Sequence, residues 1–432
     1  MDPTVVALSG FAALFALMLL RMPIGLAMGA VGVVGFAALS GFGPAMKMLA
    51  QSPIRTATDA GFAVIPLFLL MGTIASASGM SAELFQAANS FLGHRKGGLG
   101  MATIAACAGF AAISGSSVAT AATFSAVAYP EMRRFHYPQS FATGVIAAGG
   151  TLGAILPPSL VLAVYSLITQ QDVGRLYMAG IVPGLLAVAM YILTIAAVAA
   201  LRPGFLPQGA RTGWAERWRA IKGVWAIALL FLFVIGGLYG GAFTPTEAAA
   251  MGAGGAFLIA VARRRLSAAQ FMACLLRALR TSAAIFTILI GALLFGYFLA
   301  VTQTPQHVTE FLTGLGLGRY QVLVLIMLMY LVLGCVMDAM AMVILTIPII
   351  FPVITALGFD PIWFGVIIVM TVELGLIHPP VGMNVFVIKS VVRDVKIGTV
   401  FVGVLPFVAT DLLRLAILIA FPVLSTWLPS RM

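Results

Sequence analysis

Two stretches of the chain set oxygen-bearing and charged groups inside otherwise apolar sequence. In the first, Cys107 to Thr169, the run Ser114-Gly115-Ser116-Ser117 is followed by Gly149-Gly150-Thr151-Leu152-Gly153 and then by Pro157-Pro158. Proline cannot continue a helical hydrogen-bond ladder. Lipid cannot satisfy the backbone groups so freed, so such breaks persist only where protein, water or a ligand meets them. Hydroxyls and unwound carbonyls in this stretch form an oxygen set suited to Na⁺, without the cost of a buried charge. Half-helix N-termini beside them direct partial positive charge toward an anion. The plain alternative is a Ser/Gly-rich close crossing of two helices.

The second stretch, Gly334 to Lys389, places Asp338 just after Cys335 and sets Glu373, His378 and Asn384 around Pro379-Pro380. Charged residues at membrane depth are costly and mark function. Asp338 is expected to coordinate a cation and also to cap the helix that follows it. Glu373 and His378 either join that site or hold helices together by hydrogen bonds, and Asn384 is a polar contact. Asp411 and Arg414, three residues apart on one helix, are expected to pair structurally. Glu247 suits a helix N-terminus.

These groups need embedded elements to hold them, and the composition supplies such elements. Of the 432 residues 62% are hydrophobic and only 9% charged, with a mean hydropathy of +1.11. Soluble proteins carry about 25% charged residues, so the class is an all-α polytopic membrane protein. Spans of about 17–25 residues are expected near 4–20, 23–41, 62–78, 140–169 and 176–200. The second half offers 221–239, 245–262, 281–301, 361–389 and 399–428. Segments 99–113 and 117–128 would reach only about 22 and 18 Å at 1.5 Å per residue, short of a core of about 30 Å. They predict a re-entrant hairpin, with a second at about 320–357 bent around Cys335 to Asp338. Segments 42–59 and 267–280 look amphipathic and suit the interface plane.

The basic residues orient this layout. With the N-terminus outside, 18 of the 24 Lys and Arg residues are cytoplasmic, Arg277 and Arg280 among them, as the positive-inside rule requires. Both termini then lie on the outer face. The start, MDPTVVALSG, has no basic leader region, so the first helix is expected to stay as an anchor.

The prolines reveal a repeat. Pro130 precedes Pro138 by 8 residues and Pro157 by 27, and Pro183 lies 26 beyond Pro157. Pro352 precedes Pro361 by 9 and Pro379 by 27, and Pro406 lies 27 beyond Pro379. The chain divides into residues 1–200, a cytoplasmic linker 201–220, and residues 221–432. Each half holds five crossings and a hairpin, and an odd number of crossings inverts the second copy. Inverted repeats with broken helices at mid-membrane belong to secondary transporters.

Several other functions are excluded or disfavoured. Three scattered cysteines without metal-ligand spacing argue against a disulfide framework or a zinc site. No Walker lysine loop, GxSxG or HExxH occurs. An intramembrane protease would need His378 to reach the Ser114–Ser117 cluster. The formal charge of +11 resides in loops on one side, which reads as topology rather than nucleic-acid binding.

The motifs then become specific. GFAAISGSSVATAATFSAVAYPEMRRFHYPQSFATGVIAAGGTLGAILPPS with YMAGIVPGLL resembles the large membrane subunit of tripartite ATP-independent periplasmic (TRAP) transporters, the DctM/SiaM-like family. LGCVMDAMAMVILTIPIIFPVITALGFDPIWFGVI, VELGLIHPPVGMNVFVIK and VLPFVATDLLRL extend the resemblance over nearly the whole chain. It implies a Na⁺-driven, elevator-like importer of small carboxylates in a bacterial inner membrane, with no organic cofactor. It also implies two partners, a separate small four-helix membrane subunit and a periplasmic binding protein. One sodium site would fall at Ser114, Gly115, Ser116 and Ser117 with Gly150, Thr151, Gly153 and Pro157. The other would fall at Cys335 and Asp338 with Glu373, Gly375 and Pro379. Ser116, Ser117 and Asn384 are the expected substrate contacts. A stand-alone cation–carboxylate symporter is the alternative within transport.

Overall fold

The computed structural model describes residues 3–314, 316–334 and 337–431. Cys335 therefore lies outside the described residues. Regular structure among them is helical, apart from an isolated bridge between Lys96 and Gln208. Eight helical segments among the described residues are long and apolar enough to cross a membrane.

The first half begins with α1 (Pro3–Leu19), α2 (Ile24–Ser40), the amphipathic α3 (Phe42–Thr58), α4 (Val64–Ala77) and a short α5 (Met80–Leu92). The first hairpin follows as α6 (Gly98–Ser114) and α7 (Ser117–Arg134). Next come the two parts of a broken helix, α8 (Gln139–Ile155) and α9 (Leu160–Thr169), and then α10 (Val173–Leu201). The second half runs α11 (Trp214–Tyr239), α12 (Pro245–Ala262), α13 (Ala268–Val301) and α14 (Thr304–Gly314). Its hairpin is α15 (Arg319–Gly334) and α16 (Ala339–Ala356), and its broken helix α17 (Pro361–Ile377) and α18 (Met383–Val391). α19 (Ile397–Ala420) and the single turn α20 (Val423–Thr426) close the chain.

Two sequence expectations change. Segment 267–280 is not a separate interfacial helix, because Ser267 and Gln270 form a capping box that starts α13, and the helix then runs 34 residues without a stop. At 1.5 Å per residue that is a rod of about 50 Å. The first broken helix also parts later than expected. Gly149, Gly150 and Thr151 stay helical, and only Leu156 to Ser159 leave the ladder.

Glycines set the tightest crossing of the outer helices. A Cβ on Gly25 of α2 would stand 2.8 Å from the Ile288 backbone of α13, and Gly291 of α13 backs directly onto Gly25. Glu83 of α5 binds Arg263 and Arg265, with Arg265 Nη1 2.7 Å from Oε1, and so ties α5 to the α12–α13 turn. Inside this frame the two halves exchange partners. α9 packs on α16 of the second hairpin, α18 packs on α7 of the first, and α17 lies against α8.

Candidate cation and substrate site

At the first tip α6 ends on Gly115, whose φ of +60° carries the chain into the turn, a conformation costly for residues with a side chain. Ser116 then caps α7 by accepting from Ala119 N at 3.3 Å. Its carbonyl accepts from Thr120 N at 3.1 Å and from Thr120 Oγ1 at 2.8 Å. Ser114 Oγ lies 3.0 Å from the same Thr120 hydroxyl. The broken helix closes on this turn, with Leu160 N donating to Gly115 O at 3.2 Å. On α8, Gly150 and Gly153 share a face, and a Cβ on Gly153 would stand 2.9 Å from Ser117 N. Ser159 caps α9 through Leu162 N at 3.2 Å and donates back to Ala154 O. Hydroxyls and carbonyls from α6, α7, α8 and α9 thus crowd one point.

The second tip is built from acids. Asp338 caps α16 by accepting from Met340 N at 3.1 Å, the capping role expected of it. Gly334 at the end of α15 and Gly375 of α17 meet so closely that a Cβ on either would be 2.9 Å from the other's Cα. Glu373, two residues earlier on α17, is turned to the opposite face of that helix. Glu373 is 2% exposed, and no hydrogen bond of good geometry satisfies either of its oxygens, the Ser117 hydroxyl being the one side chain close enough to donate. The charged or polar groups in electrostatic reach of it are Ser117 of the first tip, Asp338 of the second, and Asp411 and Arg414 of α19. A buried carboxylate without a partner costs several kcal/mol. A hard cation with oxygen ligands would relieve that cost, so the donor set fits Na⁺.

Behind the tips, Asp411 and Arg414 pair as expected, at 2.8 Å and both buried. Tyr191 of α10 donates to Asp411 at 2.7 Å, and its hydroxyl lies 3.1 Å from Thr151 Oγ1. Thr151 also donates to Ala148 O at 2.7 Å. Its hydroxyl is therefore turned to this network, one helix face away from Gly150 and Gly153. Asn384 is fully buried on α18, and no hydrogen bond satisfies its amide. His378 ends α17 with Nδ1 2.5 Å from Pro379 O. Glu247 joins Thr244 in a capping box at the start of α12, a structural role.

A cavity of about 410 Å³ opens between the two tips. Ser114 and Ser116 border it from the first hairpin, and Asp338 and Met340 from the second. Helices α4 and α13 form the facing wall. Ser117 and Asn384, expected to touch substrate, lie outside its lining.

The arrangement has a known setting. Residues 11–424 match the family described as the tripartite ATP-independent periplasmic transporter, DctM component. The chain belongs to this family. It is therefore a multi-pass membrane subunit of a transport system and not an enzyme. Among curated relatives, the C4-dicarboxylate TRAP transporter large permease protein DctM of Pseudomonas aeruginosa is 37% identical over 404 residues, 93% of each chain. The sialic acid TRAP transporter large permease protein SiaM of Vibrio cholerae is 32% identical over 84% of this chain and 85% of its own. The fold also resembles the crystal structure of the Alcanivorax borkumensis YdaH transporter, at a TM-score of 0.61 and 15% identity. That likeness covers 99% of this chain and 98% of the other.

Within this DctM-family subunit the structure brings together Ser114, Gly115, Ser116, Ser117, Gly150 and Gly153 at one tip and sets Gly375 against the second hairpin that carries Asp338, with Glu373 in reach of both Ser117 and Asp338. Tyr191 and Thr120 escaped the sequence reading. A tyrosine midway along the apolar run of α10, one of two on that helix, was the available signal for the first. Thr120 follows Ser116 by one helical turn, which was the signal for the second.

Proposed function

We propose that this subunit carries out Na⁺-driven import of small carboxylates, with substrate held between the two hairpin tips and one cation site behind each tip. The observation that carries the reading is Glu373, a buried carboxylate with no well-formed hydrogen bond and within reach of groups from both hairpins. A cation there would join the tips, and losing it would free them. Ser114 to Ser117 with Gly150, Gly153 and the Pro157 break would supply neutral oxygens for the first ion. Asp338, Glu373 and the carbonyls near Gly375 and Pro379 would hold the second.

The second half is proposed to be an inverted copy of the first, and the reciprocal packing of α9 on α16 and α18 on α7 supports this. The hairpins and broken helices would move as one body past a frame of α1, α2 and α11–α13, in an elevator motion. Both termini would face the periplasm. Cargo would arrive on a periplasmic binding protein, with a separate four-helix subunit bracing the frame; the tripartite description of the family supports two such partners.

The test is uptake by proteoliposomes holding this chain and its small subunit, using labelled succinate, N-acetylneuraminate and gluconate. Uptake that needs both an inward Na⁺ gradient and the binding protein is expected. Uptake without the binding protein would establish the stand-alone symporter instead. Uptake indifferent to Na⁺ would remove both cation sites from the mechanism.

A further inference from the structure

Helix α13 is long enough to carry one face past the whole depth of the cavity. Cys274 Sγ meets Thr73 O of α4 at 3.6 Å, and Cys274 and Ser282 are buried. The next stripe, Arg277, Thr281, Ala284 and Ile288 at helical spacing, lines the cavity opposite the tips. Among the described residues lining it, Arg277 is the one cationic side chain and Asp338 the one acid. None of the ion pairs among the described residues involves Arg277. Arg277 and Arg280 are both exposed, and Arg280, three residues on, lies outside the lining. Position in the sequence marks both arginines alike as topology signals, but only one of them faces the cavity.

We infer that Arg277 is the anchor for the substrate's carboxylate in the cavity between the hairpin tips. This inference rests on the transport reading above and names the residue that makes it selective for anions. A guanidinium presents two parallel donors that match a carboxylate, and the Thr73, Thr281 and Ser116 hydroxyls border the same space for the rest of the molecule. The cavity volume falls in the range of small-molecule sites, about 300–1,000 Å³. Arg277 and Asp338 cancel in net charge, so an entering carboxylate leaves the cavity negative by one. A cation bound at Asp338 offsets that charge, which links anion binding to Na⁺.

Two measurements separate the outcomes. Uptake of the three probes in the complete system tests transport. Binding of the transported probe to the chain and small subunit in nanodiscs, without the binding protein, tests Arg277. In the presence of Na⁺, Arg277→Gln is expected to raise the dissociation constant at least tenfold and Arg277→Lys a few-fold. Arg280→Gln should match the unaltered protein. Uptake by the unaltered protein with an unchanged dissociation constant in Arg277→Gln overturns the inference alone, as does uptake with no measurable nanodisc binding. No Na⁺-dependent uptake of any probe would bring down the transport reading and the inference with it. Where Arg277→Gln fails to assemble, Arg277→Lys decides, since a raised constant supports the anchor and an unchanged one rejects it.

Discussion

At the first hairpin tip the tip's own groups available to a cation are serine hydroxyls and backbone carbonyls, whereas the second tip carries the carboxylate of Asp338, and Glu373 of α17 lies within reach of both. Both tips are closed by glycines against a broken helix, Gly153 against Ser116 and Ser117, and Gly334 against Gly375. The shared device is backbone contact. The difference is charge. A cation among neutral oxygens leaves a net positive site, whereas one beside Asp338 and Glu373 cancels a burial cost already present. The acidic tip should therefore set the affinity for Na⁺, and the neutral tip should add its positive charge to whatever attracts the substrate anion.

The largest effect is expected where the shared device is broken. Gly153→Leu would drive side-chain atoms into the backbone of Ser116 and Ser117. Overpacking of this kind costs about 1–3 kcal/mol, yet the first tip would also lose its shape. Uptake should fall to background while membrane insertion, followed by detergent-extracted yield, persists. Normal uptake would show that the close fit of hairpin and broken helix is dispensable.

Glu373→Gln sharpens the contrast between the tips. It keeps the shape and removes the charge, so half-saturation by Na⁺ should rise by about tenfold or more, equivalent to about 1.4 kcal/mol. Ser117→Ala removes a neutral donor from the other tip and should shift it only a few-fold. Equal shifts in Na⁺-titrated uptake would erase the proposed division between the tips.

Asp338 offers a smaller and more divided effect, because it both caps α16 and faces the cavity. Asparagine caps a helix about as well as aspartate, whereas alanine costs about 1 kcal/mol of capping. Both Asp338→Asn and Asp338→Ala should raise the Na⁺ needed for uptake, and only Asp338→Ala should also lower thermal stability. An unchanged Na⁺ requirement in both would leave Asp338 as a cap alone.

Much of this contrast was legible in the sequence. Apolar runs placed the spans, matched prolines placed the two broken stretches, and acids inside apolar sequence marked the second tip. The start of the break was misplaced because glycine pairs read as unwinding. Gly150 and Gly153 instead remain helical, since the hairpin backbone occupies the space that side chains would fill. Thr151 was assigned to the cation site from its neighbours, but a one-residue step on a helix turns a side chain by about 100° and points it at Tyr191. Arg277 looked like any basic residue near a helix start. Only the folding of α13 into one continuous rod brings it beside the tips.

Tyr191 carries the smallest predicted effect and separates the tips from their support. Its hydroxyl holds Asp411 and meets Thr151, so it links α10 and α19 to the first broken helix. Phenylalanine would fill the same volume and leave Asp411 with Arg414 as its remaining partner. A hydrogen bond to a charged group contributes about 1.5–3 kcal/mol, so Tyr191→Phe should lower the melting temperature of the purified chain. The Na⁺ dependence of uptake should stay where it is, because neither proposed cation site loses an oxygen. A shift in Na⁺ affinity comparable to that of Glu373→Gln would make the Tyr191–Asp411–Arg414 network part of the cation site, and would move the boundary between site and scaffold one helix deeper.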